Sequence, residues 1–271
     1  MQVEIEQNDV IEKKTVAHLN KPATATALNM TPESKPIQIQ FRHGPMETPS
    51  DYQNALDGFA RSRAAAGDSN AHARAFESML SMMIRLDQQF GISGPFPVEG
   101  VEEALKEAMI AAAHVESDWG QDESAMVSLD RAVIALGHWA MQHALEFRLP
   151  EVWVNALARR ANAAETRQDC AAMFALMQGA IAHLEPALGA DMEQSNPERP
   201  WRILNLNFAI TAIRAGDGAL MRFAFDPLNR HLPLDAPGFY AEASAQAAHP
   251  AFPAEHRALI DQEVSRWTRA H

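Results

Sequence analysis

Residues 122–148 read DESAMVSLDRAVIALGHWAMQHALEFR, and this stretch decides the fold class. Met126, Leu129, Val133, Leu136, Ala140, His143 and Phe147 recur in it at spacings of three and four. An α-helix turns once every 3.6 residues, so the spacing predicts a single apolar face running through the whole stretch. The same period appears on both sides of it. Phe76, Met79, Met83, Leu86 and Phe90 make a second stripe, Val101, Leu105, Ala108, Ala112 and Val115 a third, and Phe174, Met177, Ile181 and Leu184 a further one. From residue 51 onward no strand-like alternation interrupts them. The expected fold is all-α, with about ten antiparallel amphipathic helices. They would form either an array of helical hairpins, as in an α-solenoid, or an irregular orthogonal bundle.

Stop and start signals place the elements. Gly67-Asp68 ends a first helix that opens near Pro49, and a second runs from about Asn70 to Phe90. A third spans about 97–116. Pro150 opens a fifth after the central stretch, and Asp169 is the expected cap of a sixth. Residues 186–200, with Pro186, Gly189, Pro197 and Pro200, read as the longest interior loop. That loop is expected to be a subdomain boundary or a partner contact. A seventh helix over about 198–215 is apolar on two sides and therefore central. Pro227 is expected to end the eighth, and two more follow near 235–248 and 253–269.

Residues 1–50 differ in composition. They are rich in Thr, Gln, Asn, Pro and Lys and predict a mobile or extended N-terminal arm ahead of a helical domain over 51–271. Within the arm, Val3 and Ile5, then Ile37, Ile39 and Phe41, alternate briefly, as a strand added to a partner's sheet would.

Trp201-Arg202-Ile203-Leu204-Asn205-Leu206-Asn207-Phe208, with Ala219 and Phe223 after it, resembles a tetratricopeptide repeat. Asn205 stands where that pattern has Gly, Phe208 where it has Tyr, and no second copy follows. The resemblance covers about 30 residues and implies helical hairpins that present a groove to a peptide.

Net charge is −12 over 271 residues, a field that repels phosphate and argues against nucleic acid as a partner. The single cysteine, Cys170, rules out an internal disulfide and a Cys-rich metal site. With Asp169 beside it near a helix start, its thiol would be activated only if exposed. No apolar run approaches the roughly 20 residues that span a bilayer, and the polar N-terminus lacks a secretory pattern. The expected address is cytoplasmic, without membrane contact.

Candidate chemistry is sparse. His143 and Glu146, three apart, would share a helix face as a metal pair needs, whereas His138 and His143, five apart, point away from each other. His114, Glu116, Asp118, Asp122 and Glu123 form an acidic turn whose spacing fits no calcium loop and which reads as helix caps. No Glu-x-x-His pair, nucleophile elbow or phosphate loop occurs, so neither metal nor cofactor is expected. Asn155, Arg159 and Asn162 line up at i, i+4 and i+7, and Arg202 and Asn205 make a similar pair. Such Asn/Arg faces on stacked hairpins grip a carboxylate or a peptide backbone. The expectation is a non-enzymatic interaction module, an adaptor, chaperone or assembly factor, with these five residues lining a partner groove. A homo-oligomer is compatible with it. The alternatives are a helical-bundle enzyme or cofactor-binding protein whose pocket uses His143, Glu146 or His183, and an exported effector.

Overall fold

A computed structural model of the chain describes residues 49–67, 70–91 and 98–269. The described residues form ten α-helices and no strand. These are α1 (Pro49–Ala66), α2 (Ala71–Phe90), α3 (Val98–Trp119), α4 (Glu123–Gln142), α5 (Glu151–Ala163), α6 (Arg167–Leu188), α7 (Pro200–Ala215), α8 (Gly218–His231), α9 (Ala236–Ala247) and α10 (Ala254–Arg269). The expected N-terminal arm, with its two alternating patches, lies outside the described residues, apart from Pro49 and Ser50 at the start of α1.

The chain divides into two compact units. One holds the described residues up to Arg160 together with Ala175–Leu204, and the other holds Ala161–Phe174 with the residues from Asn205 onward.

In the first unit, α1 to α4 close a ring. Each helix packs on its neighbour in sequence, and α4 returns to α1. Cross-helix bonds fix the directions. Ser62 near the end of α1 donates to Ser128 near the start of α4, at 2.9 Å, while Tyr52 near the start of α1 meets Gln142 at the end of α4. Asn70, the N-cap of α2, donates to Asp118 near the end of α3 at 2.9 Å. The four helices are therefore an up-down-up-down bundle. Its core is aromatic and tight: Phe59 meets Phe76 edge-on at 5.0 Å and lies against Trp119 at 5.2 Å. Helix α5 adds Trp153, whose buried ring lies over Gly137 of α4, where no Cβ stands in its way.

In the second unit, α10 packs on α8 and α9. Asp217 caps α8 by accepting from Ala219 and Leu220, and Gly216 before it takes φ +64°. Arg257 donates to Ala247 O and His249 O and so closes the end of α9. Phe174 stacks on Phe208 at 4.2 Å, with Phe223 edge-on to both.

Four boundaries differ from the sequence reading, each for a local reason. Helix α4 stops at Gln142, so His143 and Phe147 lie beyond it and the seven-residue stripe is not one helix face. A left-handed Ala144 (φ 51°) turns the chain, Leu145 N–H bonds Ala140 O at 2.9 Å and Ala144 N–H bonds Met141 O at 3.2 Å. This is a Schellman ending built on alanine, with Leu145 buried behind it. Helix α8 does not end at Pro227 but runs on to His231. The proline costs about 3 kcal/mol in a helix interior. Burial of Phe225 and Leu228, each worth about 1.5–3 kcal/mol, outweighs it. Pro186 likewise lies inside the last turn of α6, so the interior loop begins only after Leu188. Thr166, not Asp169, caps α6: its Oγ1 accepts from Asp169 N–H at 3.0 Å and donates to the Asp169 carboxylate at 2.7 Å. The Asp169 carboxylate thus holds the hydroxyl that caps the helix.

Candidate functional site

Of the five groove residues, Asn155, Arg159 and Arg202 belong to the first unit and Asn162 and Asn205 to the second. Asn155 is half-buried on α5. Arg159 is committed to carboxylates of neighbouring helices. Its Nε and Nη2 clamp Asp130 of α4 in bidentate fashion, Nε to Oδ2 at 3.1 Å and Nη2 to Oδ1 at 2.6 Å, and its Nη1 reaches Glu116 of α3. Burial works against the Arg159 charge, but the bonds and charges of Asp130 and Glu116 outweigh it and raise the guanidinium above its ordinary value. A cation held by two anions has little field left for a third. In the second unit, Asn162 Nδ2 points at Asn207 Oδ1 at 3.5 Å, and Asn205 is buried. Arg202 donates to Pro197 O at 3.0 Å and so belongs to the loop that precedes α7.

That loop, between α6 and α7, is the most constructed surface feature among the described residues. Arg199 is buried beneath it and is bonded on several sides. It donates to both oxygens of Asp191, at 2.5 and 3.0 Å, to Gln194 O at 3.3 Å and to Asn196 O at 3.0 Å. Asp191 is buried too and holds φ at +45°, a left-handed conformation that costs an L-residue about 1 kcal/mol or more. Two charges this poor in solvent are tolerable because each satisfies the other. Backbone bonds Asp191 N to Leu188 O, Asn196 N to Glu193 O and Arg199 N to Asn196 O add turns, and Asn196 Oδ1 accepts from Glu198 N. On this frame, the seven consecutive residues 192–198 are all exposed. Met192 is 89% exposed, more than any other large apolar side chain described. The prolines and Gly189 did mark this segment as a loop. The buried Asp191–Arg199 pair that builds it was missed, since i, i+8 in a loop is no recognisable period.

The histidines and carboxylates singled out in the sequence fall into structural roles. His143 Nε2 lies 3.1 Å from Asp87 Oδ1, which also accepts from Trp139 Nε1 at 2.8 Å. A carboxylate only accepts, so Nε2 carries the His143 proton. Asp–His pairing of this kind orients an imidazole for base catalysis in hydrolases. Here the side chains are 4% and 8% exposed, and a substrate would have to open the bundle to reach them. Tyr52 gives its one hydroxyl proton to Gln142 at 2.7 Å and takes one from His138 Nδ1 at 2.9 Å. Glu146 pairs with Arg148. Of the acidic turn, Asp122 caps α4, Asp118 bonds Asn70, Glu116 binds Arg159, and His114 stacks on His72 at 4.2 Å. No group of three His, Cys, Asp or Glu able to hold a metal ion occurs among the described residues. Cys170 is buried, and burial pushes its thiol up, away from reactivity. A cavity of about 210 Å³ between α8 and α10, beside Asn229 and Glu263, is smaller than the roughly 300–1,000 Å³ of ordinary ligand sites.

His183 is half-buried against the edge of Trp153. Burial lowers its pKa from 6.5, against an opposing hydrogen bond at the Leu145 backbone. The folded chain thus binds this proton less well than the unfolded chain does. Its contribution to stability is whole above pH 6.5 and is lost as pH falls below that value. His183→Gln is expected to flatten the acid-side decline of the urea midpoint between about pH 7 and pH 5. An unchanged slope would assign that decline to other groups.

None of the described helices is long and apolar enough to cross a membrane. No family model, no curated protein and no solved structure matches the chain. The tetratricopeptide-like residues lie on α7 and α8, where Trp201, Leu204 and Phe208 are buried and Phe223 is half exposed.

Proposed function

We propose that the protein is a non-enzymatic interaction module, an adaptor, chaperone or assembly factor, and that it docks a protein partner through the loop between α6 and α7. The observation that carries this reading is the loop's construction. A strained backbone and a buried ion pair hold residues 191–199 in one conformation, while 192–198 face solvent. Ordering a free loop on binding costs about 0.5–1.5 kcal/mol for each side chain immobilised, and a loop already braced avoids much of that. Binding residues concentrate on loops that a rigid scaffold positions. The surface offers one apolar anchor, Met192, flanked by the exposed carboxylates Glu193 and Glu198. Its complement is a partner with an apolar cup rimmed by Lys or Arg. Arg202, one of the five expected groove residues, takes part as a brace of this loop.

Affinity capture with full-length bait tests the reading. Met192→Asp is expected to reduce recovery of the partner at least about tenfold, the loss of one anchor residue. Arg199→Ala is expected to reduce it as well, without touching the exposed surface directly. A partner recovered equally by all three baits would refute docking through the loop. Stoichiometric retention of a substrate-like small molecule by the purified chain would favour the enzyme reading instead.

A further inference from the structure

Ten methionines lie among the described residues, and their environments are uneven. Met79, Met83, Met109, Met173, Met177 and Met221 are buried, Met82, Met126 and Met141 are half-buried, and Met192 alone is exposed. Oxidation of a thioether follows access to its sulfur. Most oxidised methionines do harm because sulfoxide is polar and disrupts the packing around it. Met192 is placed where that harm is absent. Its side chain is 89% exposed, and the frame beneath it depends on Asp191, Arg199 and backbone bonds.

From this placement we infer that Met192 is a reversible oxidation site, modified by peroxide-class oxidants and restored by methionine sulfoxide reductases. The sulfur lone pair attacks one oxygen of hydrogen peroxide, the O–O bond breaks and an S–O bond forms. The hydroxide released takes the proton left on the transferred oxygen and departs as water. Sulfur loses two electrons and the peroxide gains them. A reductase needs the sulfoxide to enter its own active site, which a side chain standing clear of the surface permits and a buried one forbids. If the loop docks a partner as proposed above, the step turns an apolar anchor polar at the contact itself. That consequence rests on the docking proposal, but the modification does not.

Graded hydrogen peroxide on the folded full-length chain, followed by peptide mass mapping, tests the site. The Met192 peptide is expected to gain one oxygen on the order of ten times faster than the peptides carrying the buried methionines. The melting temperature of the singly oxidised chain is expected to stay within about 1 °C of the untreated chain, and reductase treatment is expected to remove the adduct without unfolding. In Met192→Leu the early adduct is lost from that peptide. Equal rates at Met192 and at the buried methionines, or an adduct that resists the reductase until the chain is denatured, would overturn the inference. The oxidised chain also serves as bait. Selective, reversible oxidation with undiminished capture, while Met192→Asp still reduces it, would leave the docking proposal standing and deny the sulfoxide a role in it. Undiminished capture by Met192→Asp itself would remove the docking proposal and leave the oxidation site intact.

Discussion

Arg159→Met is expected to lower the free energy of unfolding by about 2–3 kcal/mol, somewhat below the 3–5 kcal/mol of a fully buried pair. The discount reflects solvent, because the Arg159 side chain is 35% exposed. The loss arises at Asp130, whose side chain is only 5% exposed and which takes three bonds from the guanidinium. Methionine preserves much of the aliphatic stem, so the change isolates the charge from the packing. Without its partner, Asp130 must hold a proton or an unpaired charge. Burial already pushes this carboxyl above the usual carboxylate value while Arg159 pulls it back. Removing the pull raises it further. A raised pKa means that the folded state binds the proton more tightly than the unfolded state, so stability falls as pH rises from 3.8 through the folded value. The deficit of Arg159→Met is therefore larger at about pH 7 than at about pH 5, when both are read from urea denaturation. The double variant Arg159→Met with Asp130→Leu is expected to recover most of the loss, since apolar residues of similar volume commonly replace buried pairs at little cost. A single variant within about 0.5 kcal/mol of the parent would show the triad to be screened by solvent.

The same arginine shows where the sequence could be read and where it could not. Helix positions followed from apolar periodicity because period is a local property: the stripe Val101–Val115 did become the inner face of α3, and Phe76, Met79 and Met83 that of α2, although Phe90 at the end of its stripe is exposed. Asn155, Arg159 and Asn162 share a period too, and on α5 alone they look like a polar face. What Arg159 binds comes from α3 and α4, 43 and 29 residues earlier, and no spacing rule reports such a pairing. The stripe failed as one helix face beyond Gln142 for the opposite reason, although His143 is buried as the stripe implied. The stripe continues in the sequence after the helix has ended, because the turn at Ala144 uses neither Gly nor Pro and leaves no punctuation. Pro227 left punctuation that packing overrode. The loop before α7 was legible as a loop from its prolines, while the pair that braces it, Asp191 and Arg199 meeting under the surface, was not.

Gly137 sets the closest constraint in the bundle, and Gly137→Ala is expected to cost about 2–3 kcal/mol. On an exposed helix this change would stabilise by about 1 kcal/mol, because alanine is the better helix former. Here the added Cβ would overlap the Trp153 indole at Cε2, Nε1 and Cδ1. The ring has little room to yield. It is fully buried and lies 4.8 Å from Phe147 and 6.4 Å from His183, ring centre to ring centre. Relief would require α5 to move off α4 or Trp153 to leave its rotamer, and either loses contacts over a large aromatic surface. Two variants separate steric conflict from a general intolerance of the site. Trp153→Phe alone is expected to cost about 1–3 kcal/mol through the cavity it leaves. In the Gly137→Ala background the same change is expected to cost less, because the smaller ring makes room for the methyl group, and the coupling read from the thermodynamic cycle should exceed about 1 kcal/mol. Additive effects would mean that the methyl group and the indole do not compete for one space, and the approach of α4 to α5 at Gly137 would then lack the tightness assigned to it.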